Sequence, residues 1–329
     1  MPAVIDAMTN YRAQLDAQGT EQAARLASSW LNVTRGLDAE FERLAQEMAD
    51  RRAQGLPVSL WHIRRMERYQ SLMRQTNAQL AAFGPEVVGD VTRQQALMVR
   101  WGLEHSQTLI ITQANSIALQ FDRLPVEAFV NMVGNTGAGT PLGTLLAPLP
   151  GEGAAQVTQA LVRGVALGWH PSKTARAMRD GANIAYNRAI LIARSEQLRI
   201  YRESSRQQYE ASGVIAGYRR VAAKSIRTCI GCLFSDGQFY ELSVPFEEHP
   251  DGRCQAVPML RRTQAYGVET GEQWFRRQDA ATQRAMMGPG RYTAWRAGRF
   301  DLADTVQRRD DPTWGASLVP KPLQELMAT

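Results

Sequence analysis

The stretch TCIGCLFSDGQFYELSVPFEEHPDGRC, residues 228–254, contains every cysteine of the 329-residue chain (Cys229, Cys232 and Cys254) and His249, one of its four histidines. The spacing is C-x2-C-x16-H-x4-C. A C-x2-C pair on a tight turn presents two thiolates to one ion, and zinc prefers tetrahedral sulfur and nitrogen ligands. The Pro/Gly turn HPDGRC brings the histidine and the last cysteine to one side. These four residues therefore predict one structural zinc site.

Four ligands fill a tetrahedral site and leave no position for a reactive water, whereas a catalytic zinc normally keeps one position free. The predicted zinc is therefore structural. Two alternatives remain. One is a disulfide, which a reducing cytosol disfavours. The other is that the three cysteines have no common role. The remaining histidines, His62, His105 and His170, are expected to be packed or solvated rather than to form a second site.

The composition is that of a globular protein, with 44% hydrophobic and 21% charged residues. The N-terminus, MPAVIDAMTNYRAQ, lacks a basic segment followed by an apolar one, so we expect no secretory signal and synthesis in the cytoplasm. The longest uncharged run, Ala128–Gly151, is long enough to span a bilayer. Its five glycines and three prolines argue against a membrane span.

Positive charge is concentrated in the second half of the chain. The overall net charge is +6, and residues 151–329 carry 25 basic and 18 acidic side chains. Such an excess suggests contact with a polyanion. However, 35 of the 38 basic residues are arginine, so the excess can also reflect composition alone. If DNA is bound, we expect weak, sequence-independent contacts from basic residues that flank the cysteine stretch: Arg219, Arg220, Lys224, Arg227, Arg261 and Arg262.

Apolar residues recur every three or four positions over the first third of the chain and predict long helices at about 21–53, 59–82 and 86–121. Gly55 and Pro57 separate the first two, and FGP at 83–85 is expected to end the second. The predicted fold class is mainly α, with long N-terminal helices and a small α+β, zinc-stabilised C-terminal region. The helices fit either an ordinary bundle or an elongated arm that docks on a larger assembly.

Four stretches are predicted as domains: a helical arm or bundle at 1–133, a Gly/Pro-rich linker or loop at 134–153, a zinc-bearing domain at 154–262 and a helical tail at 263–329. Three further helices are predicted. The first ends near Leu167 before a turn at 168–171, the second is capped by Ser172, and the third runs from about residue 183 to 212. The period then shifts, and VIAGYRRVA and GQFYELSV predict two short strands. Helices are expected again at 271–286 and 291–306.

Three elements resemble the phage head morphogenesis family typified by the F protein of phage Mu: ARSEQLRIYRESSRQQYEASGV, RTCIGCLFSDGQFY and HPDGRC. That family pairs an ARTE-like helix with a C-x2-C, a following DG and an HPxCRC element. The helix motif here is Ala193–Glu196 and the turn is Asp236–Gly237. Gly252 stands where the family commonly has cysteine, and Asp251 is then an alternative ligand. The similarity covers about residues 155–260.

The resemblance implies a non-enzymatic minor capsid protein that lies inside the head near the portal vertex and assists head assembly and DNA packaging, retention or ejection. Its expected partners are the portal protein, the major capsid or scaffolding protein, and packaged DNA. Two alternatives remain: a zinc-stabilised nuclease, for which Glu247, Glu248 and Asp251 offer carboxylates, and a zinc-containing nucleic-acid-binding adaptor. Arg194 and Glu196, two apart on a helix, cannot pair with each other and are expected in buried structural ion pairs with other groups.

Overall fold

The computed structural model describes residues 2–114, 123–260, 268–311 and 314–328. Helices account for 66% of the described residues and strands for 10%, which confirms the predicted mainly helical fold with a small C-terminal sheet region. Within the part of the chain that is described, no helix is both long and apolar enough to cross a membrane.

Four helices form the first part of the chain: α1 (Pro2–Val33), α2 (Leu37–Ala53), α3 (Leu60–Arg65) and α4 (Glu67–Ala114). The predicted helix at 21–53 is thus two helices. Gly36 separates them with a φ of +89°, a left-handed conformation that glycine adopts at no steric cost. The end of the predicted third helix, beyond residue 114, lies outside the described residues.

Helix α4 runs through Pro85, so the prediction that FGP ends a helix is wrong. A proline removes one backbone hydrogen bond and clashes with the preceding turn. Phe83 and Val87, on either side of it, are fully buried. Packing of the helix on both sides of the proline outweighs the local cost.

Two short 3₁₀ segments, Val126–Phe129 and Leu142–Leu145, precede α5 (Leu149–Leu167) and α6 (Pro171–Ala211). The end of α5 agrees with the prediction, because Gly168 caps it in a left-handed conformation. Helix α6 replaces two predicted helices with one of 41 residues. It carries the Ala193–Glu196 motif toward the C-terminal strands.

Three antiparallel strands form the larger sheet: β1 (Ile215–Val221), β2 (Phe239–Glu241) and β3 (Gln255–Leu260), in the order β2-β1-β3. The first two were predicted. In the register of the sheet, Tyr218 of the central strand lies opposite Tyr240 on one side and Pro258 on the other. A one-and-a-half-turn helix, α7 (Ile230–Phe234), lies between β1 and β2 in the chain. The cysteine stretch therefore begins at α7 and ends at the start of β3.

The tail holds α8 (Gly271–Arg276), α9 (Ala280–Met287), α10 (Pro289–Arg296), the hairpin β4 (Val306–Asp311) and β5 (Gly315–Pro320), and α11 (Leu323–Leu326). The helices predicted at 271–286 and 291–306 are shorter and more broken, and the hairpin was not predicted. An apolar cluster that includes Leu233, Phe275 and Leu302 joins α7 to this tail. The tail thereby fixes one side of α7.

Contacts group the chain into two compact units, each assembled from separate stretches. Unit 1 comprises Met1–Gln18, Gln94–Gly139 and Arg194–Thr329, and unit 2 comprises Gly19–Arg93 and Thr140–Ala193. Neither unit coincides with one of the four stretches predicted from the sequence.

Each unit has its own core. In unit 1, Val4 and Met8 of α1 share a buried cluster with Val221 and Val257 of the sheet. In unit 2, the Trp30 ring lies edge-on to Phe83 at 5.1 Å, and its indole N–H donates to Asn183 Oδ1 at 2.9 Å. The N-terminal turns of α1 are therefore part of the core that supports the C-terminal sheet.

Candidate metal centre

The C-x2-C pair forms the N-terminal turn of α7. Cys229 is the N-cap residue, and its sulfur accepts a hydrogen bond from the Cys232 backbone N–H at 3.2 Å. This geometry places both sulfurs at the same end of the helix. Ile230 and Leu233, which are buried, hold the helix against the tail. The spacing seen in the sequence thus becomes one turn with two converging thiols.

His249 lies directly against this pair. Its Nε2 is 3.2 Å from the Cys229 sulfur and 3.2 Å from the Cys232 sulfur. Its Nδ1 is 2.9 Å from the Pro250 carbonyl oxygen. A histidine ligand commonly donates its second N–H to a backbone carbonyl, which fixes the ring and leaves the other nitrogen to bind the metal.

Cys254 enters from the start of β3. The donor atoms of Cys232, Glu248 and Cys254 lie within 4.8 Å of one another, as do those of Cys229, Cys232 and His249. Cys232 is common to both groups, so the four predicted ligands belong to one cluster. Asp251, the alternative ligand, is in neither group.

The thiols also interact with one another. A hydrogen bond from Cys232 lowers the pKa of Cys229, which favours its thiolate. The contact with Cys232, together with burial, raises the pKa of Cys254 well above its ordinary value. Cys232 lies between the two and hydrogen-bonds to both. The Cys232 sulfur lies within 4.8 Å of the sulfur of Cys229 and within 4.8 Å of the sulfur of Cys254.

The cluster fits a metal ion by its donor chemistry and its dimensions. A tetrahedral zinc with Zn–S of about 2.3 Å and Zn–N of about 2.0 Å places its sulfur and nitrogen ligands about 3.5 Å apart. The two Sγ–Nε2 distances of 3.2 Å are close to that value. Cys229, Cys232, His249, Glu248 and Cys254 together can therefore hold a metal ion.

Glu248 is the member of this cluster that ligand spacing did not predict. One carboxylate oxygen lies 3.4 Å from the Cys232 sulfur and accepts the backbone N–H of His249 at 3.1 Å. The other lies 2.8 Å from Arg220 Nη2, and both side chains are almost fully buried. Contact with Arg220 offsets the burial and lowers the pKa of Glu248, so the carboxylate is ionised.

Two buried arginines surround the cluster. Arg202 of α6 donates to the carbonyl oxygens of Cys254 at 2.8 Å and Gly252 at 2.5 Å. Arg220 of β1 donates to the carbonyl oxygen of Glu247 at 2.7 Å and lies 3.9 Å from the Cys232 sulfur. The loop that carries His249 and Cys254 is thus held from two sides.

The Asp236–Gly237 turn supports the opposite side of α7. The Asp236 carboxylate accepts the backbone N–H of Ala222 at 2.6 Å and lies 3.2 Å from Lys224 Nζ. Gly237 has a φ of +83°, and its N–H donates to the carbonyl oxygen of Arg220 at 2.8 Å. The turn therefore ties the end of α7 to the end of β1.

The Ala193–Glu196 motif contacts the HPDGRC loop. The Ser195 hydroxyl accepts the backbone N–H of Asp251 at 3.0 Å, and Arg194 lies 3.9 Å from the Asp251 carboxylate. Glu196 is buried and pairs with Arg199 at 2.6 Å. Glu196 is thus in a buried ion pair with another group, as predicted. Arg194 also pairs with another group, but both side chains of that pair are about 40% exposed, so the prediction of burial is wrong for Arg194.

The residues nominated for DNA contacts occupy very different positions. Arg227 is exposed and Arg219 is half-buried, with its guanidinium 5.9 Å from the Phe239 ring. Lys224 is paired with Asp236. Arg220 is only 2% exposed, so the prediction that it contacts DNA is wrong. Its side chain lies beside the Cys/His cluster instead. The last two nominated residues, Arg261 and Arg262, lie outside the described residues.

The three carboxylates nominated for a nuclease are separated by their partners. Glu247 pairs with Arg308 at 2.9 Å, Glu248 with Arg220 at 2.8 Å, and Asp251 lies 3.9 Å from an arginine of α6. A two-metal nuclease site instead needs carboxylates that converge on ions about 3.5–4 Å apart. Each carboxylate here is turned toward a different guanidinium.

None of the other three histidines belongs to a potential metal-binding group among the described residues. His62 bonds to Ser59 at 2.7 Å, and His170 is exposed. His105 is buried, with its Nδ1 3.1 Å from the Tyr201 hydroxyl. The expectation that these histidines are packed or solvated agrees with their positions.

No protein-family model matches the chain, and neither the curated proteins nor the solved structures that were searched contain a match. What the cluster does is therefore inferred from its donor atoms, their surroundings and the sequence motifs that carry them.

Proposed function

We propose that this chain is a structural minor head protein of a tailed phage, in which a zinc ion stabilises the C-terminal region. The proposal rests mainly on one observation. The helix motif Ala193–Glu196 and the HPDGRC loop, two of the elements that resemble the head morphogenesis family, contact each other through Ser195 and Asp251 beside a Cys/His cluster. The family motifs are thus parts of one local structure.

Cys229, Cys232, His249 and Cys254 would hold the zinc. Bound zinc would supply a cross-link between α7 and the loop that precedes β3. A metal ion that bridges these two segments would add its binding free energy directly to the stability of the folded region. Four protein ligands leave no site for substrate, which favours a structural role over a catalytic one.

Docking on the portal is assigned to the N-terminal helices. Three tryptophans on these helices differ in their exposure. Trp30 is buried and Trp101 packs beside the core of unit 1, whereas Trp61 is 60% exposed. Exposed tryptophans are frequent hot spots in protein interfaces, so Trp61 supports the docking proposal. The major capsid or scaffolding protein is a further candidate partner.

The proposed location is the interior of the capsid near the portal vertex, where the basic second half of the chain would lie close to packaged DNA. The excess of positive charge in residues 151–329 supports this location. A nuclease is a weaker proposal because its nominated carboxylates each pair with a different arginine. A zinc-containing adaptor would share the metal cluster but would bind no head protein.

The test is to express the affinity-tagged protein in cells that are assembling the phage particles, and to purify it from them. Co-purification with a ring-forming portal protein, and retention in DNA-filled particles after nuclease and protease treatment, are the expected results. Recovery only as a soluble protein without head proteins would contradict the head role. A plasmid-nicking assay with magnesium distinguishes the nuclease alternative, for which we expect no cleavage.

A further inference from the structure

Two buried guanidinium groups flank the metal cluster. Arg202 is 5% exposed and Arg220 is 2% exposed. Their Cζ atoms lie 5.1 Å and 4.6 Å from the centroid of the same Phe246 ring. Buried arginines are rare unless their charge is compensated, because removing a charge from water is costly.

Glu248 compensates only one of the two charges. Its carboxylate pairs with Arg220 at 2.8 Å. Arg202 makes its hydrogen bonds to carbonyl oxygens of the loop, which orient the guanidinium but carry no formal charge. One carboxylate and two guanidiniums leave a net charge of about +1 in this buried region.

A divalent ion on three thiolates removes this excess. The thiolate is the form of cysteine that binds a metal. Three thiolates, a neutral histidine and a divalent cation carry a total charge of −1. The two arginines and Glu248 together carry +1, so the net charge of the region becomes zero. A trivalent ion would leave the region at +1, and a monovalent ion would leave it at −1.

We infer that Arg202 and Arg220 are charge-compensating residues of the metal centre, and that together with Glu248 they match the site to a divalent ion held by three thiolates. This inference rests on the metal centre of the proposed function but not on the role in the phage head. It assigns to the arginines an electrostatic role in addition to their hydrogen bonds to the loop.

The charge argument makes predictions of opposite sign for two residues that contact each other. Arg220→Gln removes a compensating positive charge, so the affinity for zinc should fall by about 10–100-fold, a range typical of groups that support metal ligands. Glu248→Gln removes a negative charge that competes with the thiolates for the arginines, so the affinity should rise. The double variant R220Q/E248Q restores the balance and should bind within a few-fold of the original chain.

The measurement is competition for Zn²⁺ between the full-length protein and a chromophoric chelator at one fixed pH. The exposed residue Arg227→Gln is the matched control, because it removes a positive charge near Cys229 that water already screens. Its affinity should change less than threefold. Arg202→Gln should lower the affinity for zinc, as R220Q does. Circular dichroism checks that each variant is folded.

A purely structural role predicts that R220Q, E248Q and the double variant all weaken binding, and this result would overturn the inference. Unchanged affinity in R202Q and R220Q would overturn it as well. If the original chain itself fails to bind Zn²⁺, the metal centre of the proposed function is wrong, and that outcome is seen before any variant is compared.

Discussion

The carboxylate of Glu248 fills the space that a side chain at Gly252 would need: a Cβ atom at position 252 would lie 2.3 Å from Glu248 Cδ. Gly252 is the position at which this chain departs from the HPxCRC pattern. The Glu248 carboxylate can therefore lie beside Cys232 because residue 252 has no side chain.

We expect Gly252→Ala to displace Glu248 from Arg220 and to destabilise the loop by about 1–3 kcal/mol, as overpacking of a buried site does. Chemical denaturation measures the effect. Unchanged stability would show that the carboxylate is free to move, contrary to its position in the cluster.

A second prediction concerns the contact between α4 and α6 in unit 1. A Cβ at Gly102 would lie 2.0 Å from Ser204 Oγ and 2.8 Å from the Tyr201 carbonyl oxygen. Gly102→Ala should therefore destabilise the protein by about 1–3 kcal/mol. Gly89→Ala is the control on the same helix, because its Cβ would meet only Arg93 at 3.6 Å. The control should be neutral or stabilising by up to about 1 kcal/mol. Equal effects of the two changes in thermal denaturation would contradict the close approach.

His105 should make stability depend on pH. Its ring stacks on Tyr11 with centroids 3.7 Å apart, and burial lowers its pKa to about 4 from an ordinary value of 6.5. Between these values the unfolded chain binds a proton that the folded chain does not, so stability falls as the pH decreases from about 6.5 to about 4. The loss at the low end is on the order of 3 kcal/mol.

Denaturation of zinc-saturated protein at several pH values measures this slope. His105→Phe retains an aromatic ring for the stack on Tyr11 and removes the titrating group. The variant should lack the acid-induced loss of stability, on the order of 3 kcal/mol, that His105 causes. If original and variant show the same slope between pH 4 and 6.5, another group controls acid stability.

DNA binding is expected to be weak, independent of sequence and sensitive to salt. Phosphate contacts release counterions, so the affinity should fall about tenfold or more between about 50 and 200 mM salt. Fluorescence anisotropy with two unrelated duplexes of equal length measures this. Arg227→Gln, at an exposed position, should lower the salt slope by about one if this side chain contacts phosphate. A clear preference for one duplex, or no binding at low salt, would contradict the prediction.

The Cys/His cluster could be predicted from the sequence because its residues are few and lie close together in the chain. Cys229 and Cys232 are one turn apart, and His249 and Cys254 flank a Pro/Gly turn, so their convergence follows from short-range geometry. Glu248 was not predicted as a member because its position depends on Arg220, which lies on a different strand. The sequence gives no local signal for that pairing.

The same distinction explains the fold. Two strands were recognised by their alternating pattern, but β3 contains Pro258, a residue that usually argues against a strand. Proline is tolerated there because β3 is at the edge of the sheet. Pro85 was expected to end a helix for the same local reason, and buried neighbours on both sides keep α4 continuous. The position of β3 at the sheet edge in one case, and buried packing in the other, override the local preference of proline.

We propose that Cys229, Cys232, His249 and Cys254 hold one zinc ion. Native mass spectrometry of the full-length protein, purified without chelator, tests it most directly, with thiol labelling on the same sample. We predict a mass increment of one zinc ion, three thiols that react only after a chelator is added, and loss of the increment in Cys254→Ser. A metal-free mass with all three thiols freely reactive would contradict the claim.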